Sequence, residues 1–236
     1  MSTTGKNFAP AVALLLALLL AAPALGNSEF LFNGYSKYWD SDPPDAVGST
    51  MEVYGILSSV WQVPPPIPLD TAQYQYTVYV ASMMVTAYSF TTVPFPMKML
   101  AYNGGEIHIY ADPIATGTAA DYADPTTFMD GELILVATVD PNWSLILSDS
   151  DADGSFAGTG SGTCDFVAGT QLGTLAAAEY YLNDWAFFGS PVSDPNSYGI
   201  TVPAGFHRLF DVKIATTFDP TGSEPGTWGS VKNLYH

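Results

Sequence analysis

Asp-Pro occurs six times in this chain, beginning at Asp42, Asp112, Asp124, Asp140, Asp194 and Asp219. An aspartate carboxylate bonds the backbone two residues on, while the following proline fixes φ and offers no N–H, so the pair makes a turn and stops a helix or a central strand. The stretches between these joints carry strand signals. Met51 to Val63 and Tyr74 to Phe90 are rich in Val, Tyr and Thr, and Tyr74, Tyr76, Val78 and Val80 alternate along the second. Pro64-Pro65-Pro66-Ile67-Pro68 between them reads as a stiff extended crossover on the surface.

Met97 to Tyr102 and Glu106 to Tyr110 flank Asn103-Gly104-Gly105, whose tolerance of positive φ predicts a hairpin turn. Further strands are expected at Gly131 to Val139, Trp143 to Ser148 and Arg208 to Phe218, with Ser155 to Gly162 a loop or a flexible edge strand. Only Leu172 to Phe188 has helical spacing, through Leu175, Ala178, Leu182 and Trp185, although its Tyr and Phe content also suits a strand. Tyr110-Ala111-Asp112-Pro113 recurs as Tyr122-Ala123-Asp124-Pro125, but two copies do not make a solenoid. The expected fold is all-β: a single-domain β-sandwich or jelly roll over residues 27–236, with one short helix at most. A parallel β-helix is the weaker alternative.

Residues 1–26 have the layout of a secretory signal peptide: a polar start with Lys6, an apolar run and small residues after it. The run from Ala9 to Ala22 is 14 residues, short of the roughly 20 that span a bilayer core. Cleavage suits the bond after Ala24 or, with Pro23 outside the three preceding residues, the bond after Gly26. No later stretch approaches membrane length, so the expected product is secreted or held at the cell surface by contacts. Cys164 is the sole cysteine, so the core must hold without an internal disulfide, and its expected role is a small buried apolar group. All 23 carboxylates follow residue 26, against Lys37, Lys98, Arg208, Lys213 and Lys232. The resulting charge of about −18 repels nucleic acid and anionic lipid, while an apolar fraction of 47% removes the chain from the disordered acidic class.

Asp149-Ser150-Asp151-Ala152-Asp153-Gly154 is the sharpest local motif. Carboxylates at alternate positions before a glycine wrap hard oxygen ligands around Ca²⁺, which makes Asp149, Asp151 and Asp153 the candidate metal ligands and calcium the candidate cofactor. The second half of such a loop is missing, since Ala157 and Gly160 stand where ligands are needed, so completion requires a distant donor such as Asp165 or several waters. His108, His207 and His236 are scattered and form no zinc pattern. Period two puts Glu106, His108 and Tyr110 on one strand face, either as a carboxylate and imidazole pair or as the wet face of a hairpin. His207 beside Arg208 is the one local basic cluster, and ion pairing with acids is its expected use.

No nucleophile motif is present, and Gly158-Thr159-Gly160-Ser161-Gly162 lacks the lysine and helix of a phosphate cradle. Trp39, Trp61, Trp143, Trp185 and Trp228 build a core or, where exposed, stack on sugars. Asn142-Trp143-Ser144 matches a glycosylation sequon. The function expected from these residues is non-catalytic: an extracellular structural, surface or matrix protein working through contacts with other extracellular proteins or copies of itself. A carbohydrate-binding module braced by calcium, with polysaccharide as partner, is the alternative, and a secreted carboxylate-dependent hydrolase comes third.

Overall fold

The computed structural model describes residues 29–39, 45–61, 67–149, 154–177, 182–192 and 200–215. Ten strands account for most of them: β1 (Glu29–Trp39), β2 (Thr50–Trp61), β3 (Tyr74–Thr91), β4 (Met97–Asn103), β5 (Glu106–Pro113), β6 (Glu132–Val139), β7 (Trp143–Ser148), β8 (Ala157–Ala168), β9 (Trp185–Val192) and β10 (Arg208–Ala215). One α-helix, α1 (Leu172–Ala177), and a 3-10 turn at Pro125–Phe128 complete the described elements.

Pairing is antiparallel throughout, and β1, β2, β3, β5, β6, β8, β9 and β10 form a closed ring in which β10 returns to β1. The two remaining strands extend this wall upward. β3 is 18 residues long, and its first part pairs with β5 while its second pairs with β4. β8 likewise pairs first with β7 and then with β6, and β4 pairs with β7. The chain therefore runs up and down as a barrel of eight staves, two of them interrupted. All-β with one short helix is what the sequence predicts, but a sandwich or jelly roll has two separate sheets, and here the first and last strands bond to each other instead.

The interruptions correct two local expectations. Asn103-Gly104-Gly105 does not reverse the chain: β4 and β5 lie end to end along β3, and positive φ at Gly104 (71°) and Gly105 (109°) makes a kink opposite Ser82, itself at 58°. Asp140-Pro141-Asn142 is a similar break between β6 and β7, with Asn142 at 75°. The sequence signal for positive φ was sound, but the long β3 partner holds both halves in one line. Of Leu172 to Phe188, only α1 is helical among the described residues, and Trp185 to Phe188 lie in β9.

Alternation sorts the side chains. Phe30, Phe32, Val53, Val78, Val80, Ile107, Ile109, Leu145, Leu147, Phe166, Phe187, Phe210, Val212 and Ile214 fill the interior. An eight-stranded barrel is just wide enough for such a filling. Trp143 and Trp185 are both buried, as is Cys164, in its expected apolar role. The Trp143 ring lies across β8 and β9, with its Nε1–H donating to the Phe187 carbonyl at 3.0 Å. A Cβ on Gly160 would stand 2.0 Å from that ring. The glycines of Ser155 to Gly162 thus belong to a strand paired on both sides, thinned to admit an indole.

Candidate functional site

Asp149 closes β7 at the upper end of the barrel, the end that carries the β3–β4 and β7–β8 turns. It is buried, its Oδ2 accepts the Gly154 N–H at 3.0 Å, and its own N–H donates to the Pro96 carbonyl at 2.9 Å. One predicted ligand thereby shapes the loop. Asp151 and Asp153 lie outside the described residues, as do residues 1–28, Trp228 and His236 and the side chains of Trp39 and Trp61. Asp165 cannot serve this loop, because it sits eight residues down β8 from Ala157, about 25 Å at strand rise.

Asp165 instead meets two carboxylates that the sequence analysis did not join to it. Asp140 at the β6–β7 break, Asp165 on β8 and Asp184 before β9 each offer an oxygen, and these atoms lie within 4.8 Å of one another. Asp140 accepts the Thr163 hydroxyl, and Asp165 Oδ1 accepts the Asp184 N–H at 2.8 Å. Oxygen-only donors of this kind could hold a hard divalent cation with water completing the shell. No spacing rule finds this trio; it needs the pairing of Thr138 with Asp165 and of Cys164 with Trp185.

On the outer wall Tyr35, Tyr54, Tyr79 and His108 stand directly opposite one another across β1, β2, β3 and β5. The Tyr54 and Tyr79 hydroxyls donate to the two oxygens of Glu52, at 2.9 and 2.7 Å. Burial first, and the Glu52 carboxylate with it, pushes both phenols far above their ordinary range. These groups hold their protons, which suits bracing better than base catalysis. His108 Nε2 lies 3.0 Å from Glu106 Oε2, and the Tyr110 hydroxyl is 3.4 Å from Nδ1. Glu106 and His108 thus face outward, as period two predicts, with Ile107 and Ile109 inside. Tyr122, Phe128 and Phe206 pack over Tyr54 and Tyr35 from two loops and make a second aromatic layer.

Inside the upper end is a buried ion cluster. Arg208 Nη2 lies 2.7 and 2.8 Å from the Asp45 oxygens, and Lys98 Nζ lies 3.0 Å from Oδ2 and 4.5 Å from the Phe156 ring centre. Burial alone would raise the Asp45 pKa, but Arg208 and then Lys98 outweigh it and hold the carboxyl below its ordinary range. The predicted ion pairing of the basic cluster is therefore found at Arg208, with Asp45.

At the lower end a shallow groove of about 340 Å³ is lined by Ile56, Leu57, Tyr74, Tyr76, Ile114 and one carboxylate, Asp112. Burial, with Asp130 adding repulsion, raises the Asp112 pKa. Glycoside hydrolysis needs two carboxylates flanking the bond, and the groove lining contributes one.

The last feature is apolar and exposed. Met84, Tyr88, Phe90 and Val93 from β3 and its turn, with Met99 of β4 and Ile146 of β7, lie in the upper part of the barrel. Met99 and Ile146 are direct cross-strand partners, 45% and 46% exposed. In comparisons with known proteins the chain matches no family model, no curated protein and no solved structure.

Proposed function

We propose that this is an exported protein of the cell surface or extracellular matrix that works by contact, not by catalysis. The observation that carries the reading is the exposed cross-strand pair Met99 and Ile146 on the outer face of the β4–β7 region, in a barrel whose interior is filled. Apolar side chains left in solvent side by side suit a contact surface, and a packed interior offers no chamber of the kind ligand-carrying barrels use. The outer wall carries Glu52, Glu106, His108, Asp165 and Lys213 and the lumen is apolar, the reverse of a membrane barrel. Export rests on the leader-like residues 1–26. Calcium at Asp149, Asp151 and Asp153 remains part of the proposal as a brace for the upper turn.

The test is adsorption of the purified protein to the envelope of its source cells. Replacing the outer pair, Met99→Lys with Ile146→Lys, should reduce adsorption at least tenfold while circular dichroism and Tm hold. Turnover of glycoside or ester substrates that disappears in Asp112→Asn would overturn the reading.

A further inference from the structure

β3 outruns its neighbour on one side. Its pairing with β2 ends at Thr50 and Met84, and two further bonds, Gly48 N–H to the Val85 carbonyl and Val85 N–H to the Ser49 carbonyl, close that side. β3 continues to Thr91, paired only with β4 among the described residues. Val85 turns its N–H and C=O away from β4, and the irregularity at Thr86 resets the alternation. The next groups turned outward are therefore those of Tyr88 and Phe90. Residues 86–90 are all exposed, with Phe90 at 52%. The far side of β4 is taken by β7, so among the described residues this hairpin has one open edge.

Open edges in soluble proteins are blunted by charge, by proline on the strand or by a covering loop. Here Pro94 and Pro96 sit in the turn beyond the strand, and no charged residue occurs from Thr71 to Met97, all 23 carboxylates of the chain lying elsewhere. A strongly acidic molecule meets its own copy with least repulsion along such a stretch.

The geometry points to a second copy of this chain as the occupant of the edge, joined by antiparallel pairing of β3 with β3 about a two-fold axis at Ser89. This deepens the contact reading and rests on it. In that register Tyr88 of one copy stands opposite Phe90 of the other, and their outward N–H and C=O groups complete four backbone hydrogen bonds. Ser89 meets Ser89 in a pair without backbone bonds, where Cα atoms approach to about 4.5 Å. On the outer face the row Ile146, Met99, Ser89 continues into Ser89, Met99, Ile146 of the second copy. The same patch meets itself, which is the condition for a closed two-fold interface.

Light scattering with size-exclusion chromatography and disulfide trapping tests this on the purified protein. Ser89→Cys should convert to a covalent dimer under mild oxidation, since the approach falls within disulfide reach and the native Cys164 is buried. Phe90→Lys should raise the dimer dissociation constant at least tenfold without altering circular dichroism, and Tyr88→Lys should do the same. A monomer at 100 μM (about the upper end of a practical range) whose Ser89→Cys form stays uncoupled overturns the inference. A dimer untouched by Phe90→Lys overturns it as well, because the interface is then elsewhere. Absence of any dimer in the unsubstituted protein, with adsorption through Met99 and Ile146 intact, would remove self-pairing and leave the broader contact reading standing.

Discussion

Gly160→Ala is the sharpest probe of the interior. The added methyl would stand 2.0 Å from Trp143 Cη2 and 2.2 Å from Cζ2, whereas carbon atoms rest about 3.5 to 4 Å apart. Something must therefore move by roughly 1.5 Å. The indole has little room, since it is 1% exposed and packed on Tyr102, Phe187 and Phe210, and its N–H is held by the Phe187 carbonyl. Overpacking of this kind costs about 1–3 kcal/mol, and a weakened indole bond adds about 1 kcal/mol. The smaller entropy of the unfolded alanine chain offsets about 0.4–1 kcal/mol. The expected net loss is about 1–3.5 kcal/mol, or roughly 2 to 14 °C in Tm for a chain of this length. Urea denaturation with near-ultraviolet circular dichroism of the tryptophans measures it. Trp143→Phe removes the two clashing atoms, so the double variant should recover at least about 1 kcal/mol relative to additivity. A neutral Gly160→Ala, or strict additivity with Trp143→Phe, would refute the account of why β8 is glycine-rich.

Asp45→Asn should destabilise the barrel by about 3–5 kcal/mol, because it neutralises the carboxylate held against the buried Arg208 guanidinium; Tm is the readout, and a change under about 1 kcal/mol would contradict the pairing. The depressed Asp45 pKa gives stability that is present above the ordinary aspartate value and lost as pH falls through the lower folded value, so this contribution persists to more acidic pH than that of an unpaired aspartate. Tyr54 and Tyr79 work in the opposite direction: their raised pKa values confer stability present below the ordinary tyrosine value and lost progressively as pH rises above it. Their phenolate absorbance should appear only with alkaline unfolding, and reversible titration near pH 10 in the folded protein would count against the Glu52 bridge (an ordinary phenol titrates at about 10).

Much of the strand inventory is legible locally. Tyr74 to Phe90 and Trp143 to Ser148 alternate, and they form β3 and β7 at nearly the expected bounds. Legibility fails where one local signal admits two long-range outcomes. Asn103-Gly104-Gly105 announces positive φ, but whether the chain then reverses or kinks depends on β3 being long enough to bind both halves. The glycines of β8 suggest a loose edge until Trp143 is placed against them. β1 escaped notice as a strand because Phe30 and Phe32 alternate inward over a short stretch that continues into Gly34, Tyr35 and Ser36, a mixture with no clean period. Candidate sites fare similarly: the Glu106 and His108 pair lies within one strand and is readable, whereas Asp140, Asp165 and Asp184 converge only through the register of β6, β8 and β9.

The same topology bears on how far association would run. Closing a sheet into a barrel removes most of its edges, and every stave of the ring has a strand on both sides, although Leu57 to Trp61 of β2 pair only with β1. The stretch of β3 beyond Val85 escapes that closure because the β3–β4 hairpin rises past the end of β2. Pairing β3 with β3 consumes this edge on both molecules, while β7 already occupies the other side of β4. A third copy would therefore find no second β3 edge, and it would face two molecules each carrying about −18 in charge. Edge pairing that leads to fibres needs a fresh edge after each addition. At β3 the addition is self-limiting, because β3–β3 pairing consumes the edge that made it possible and presents no fresh one.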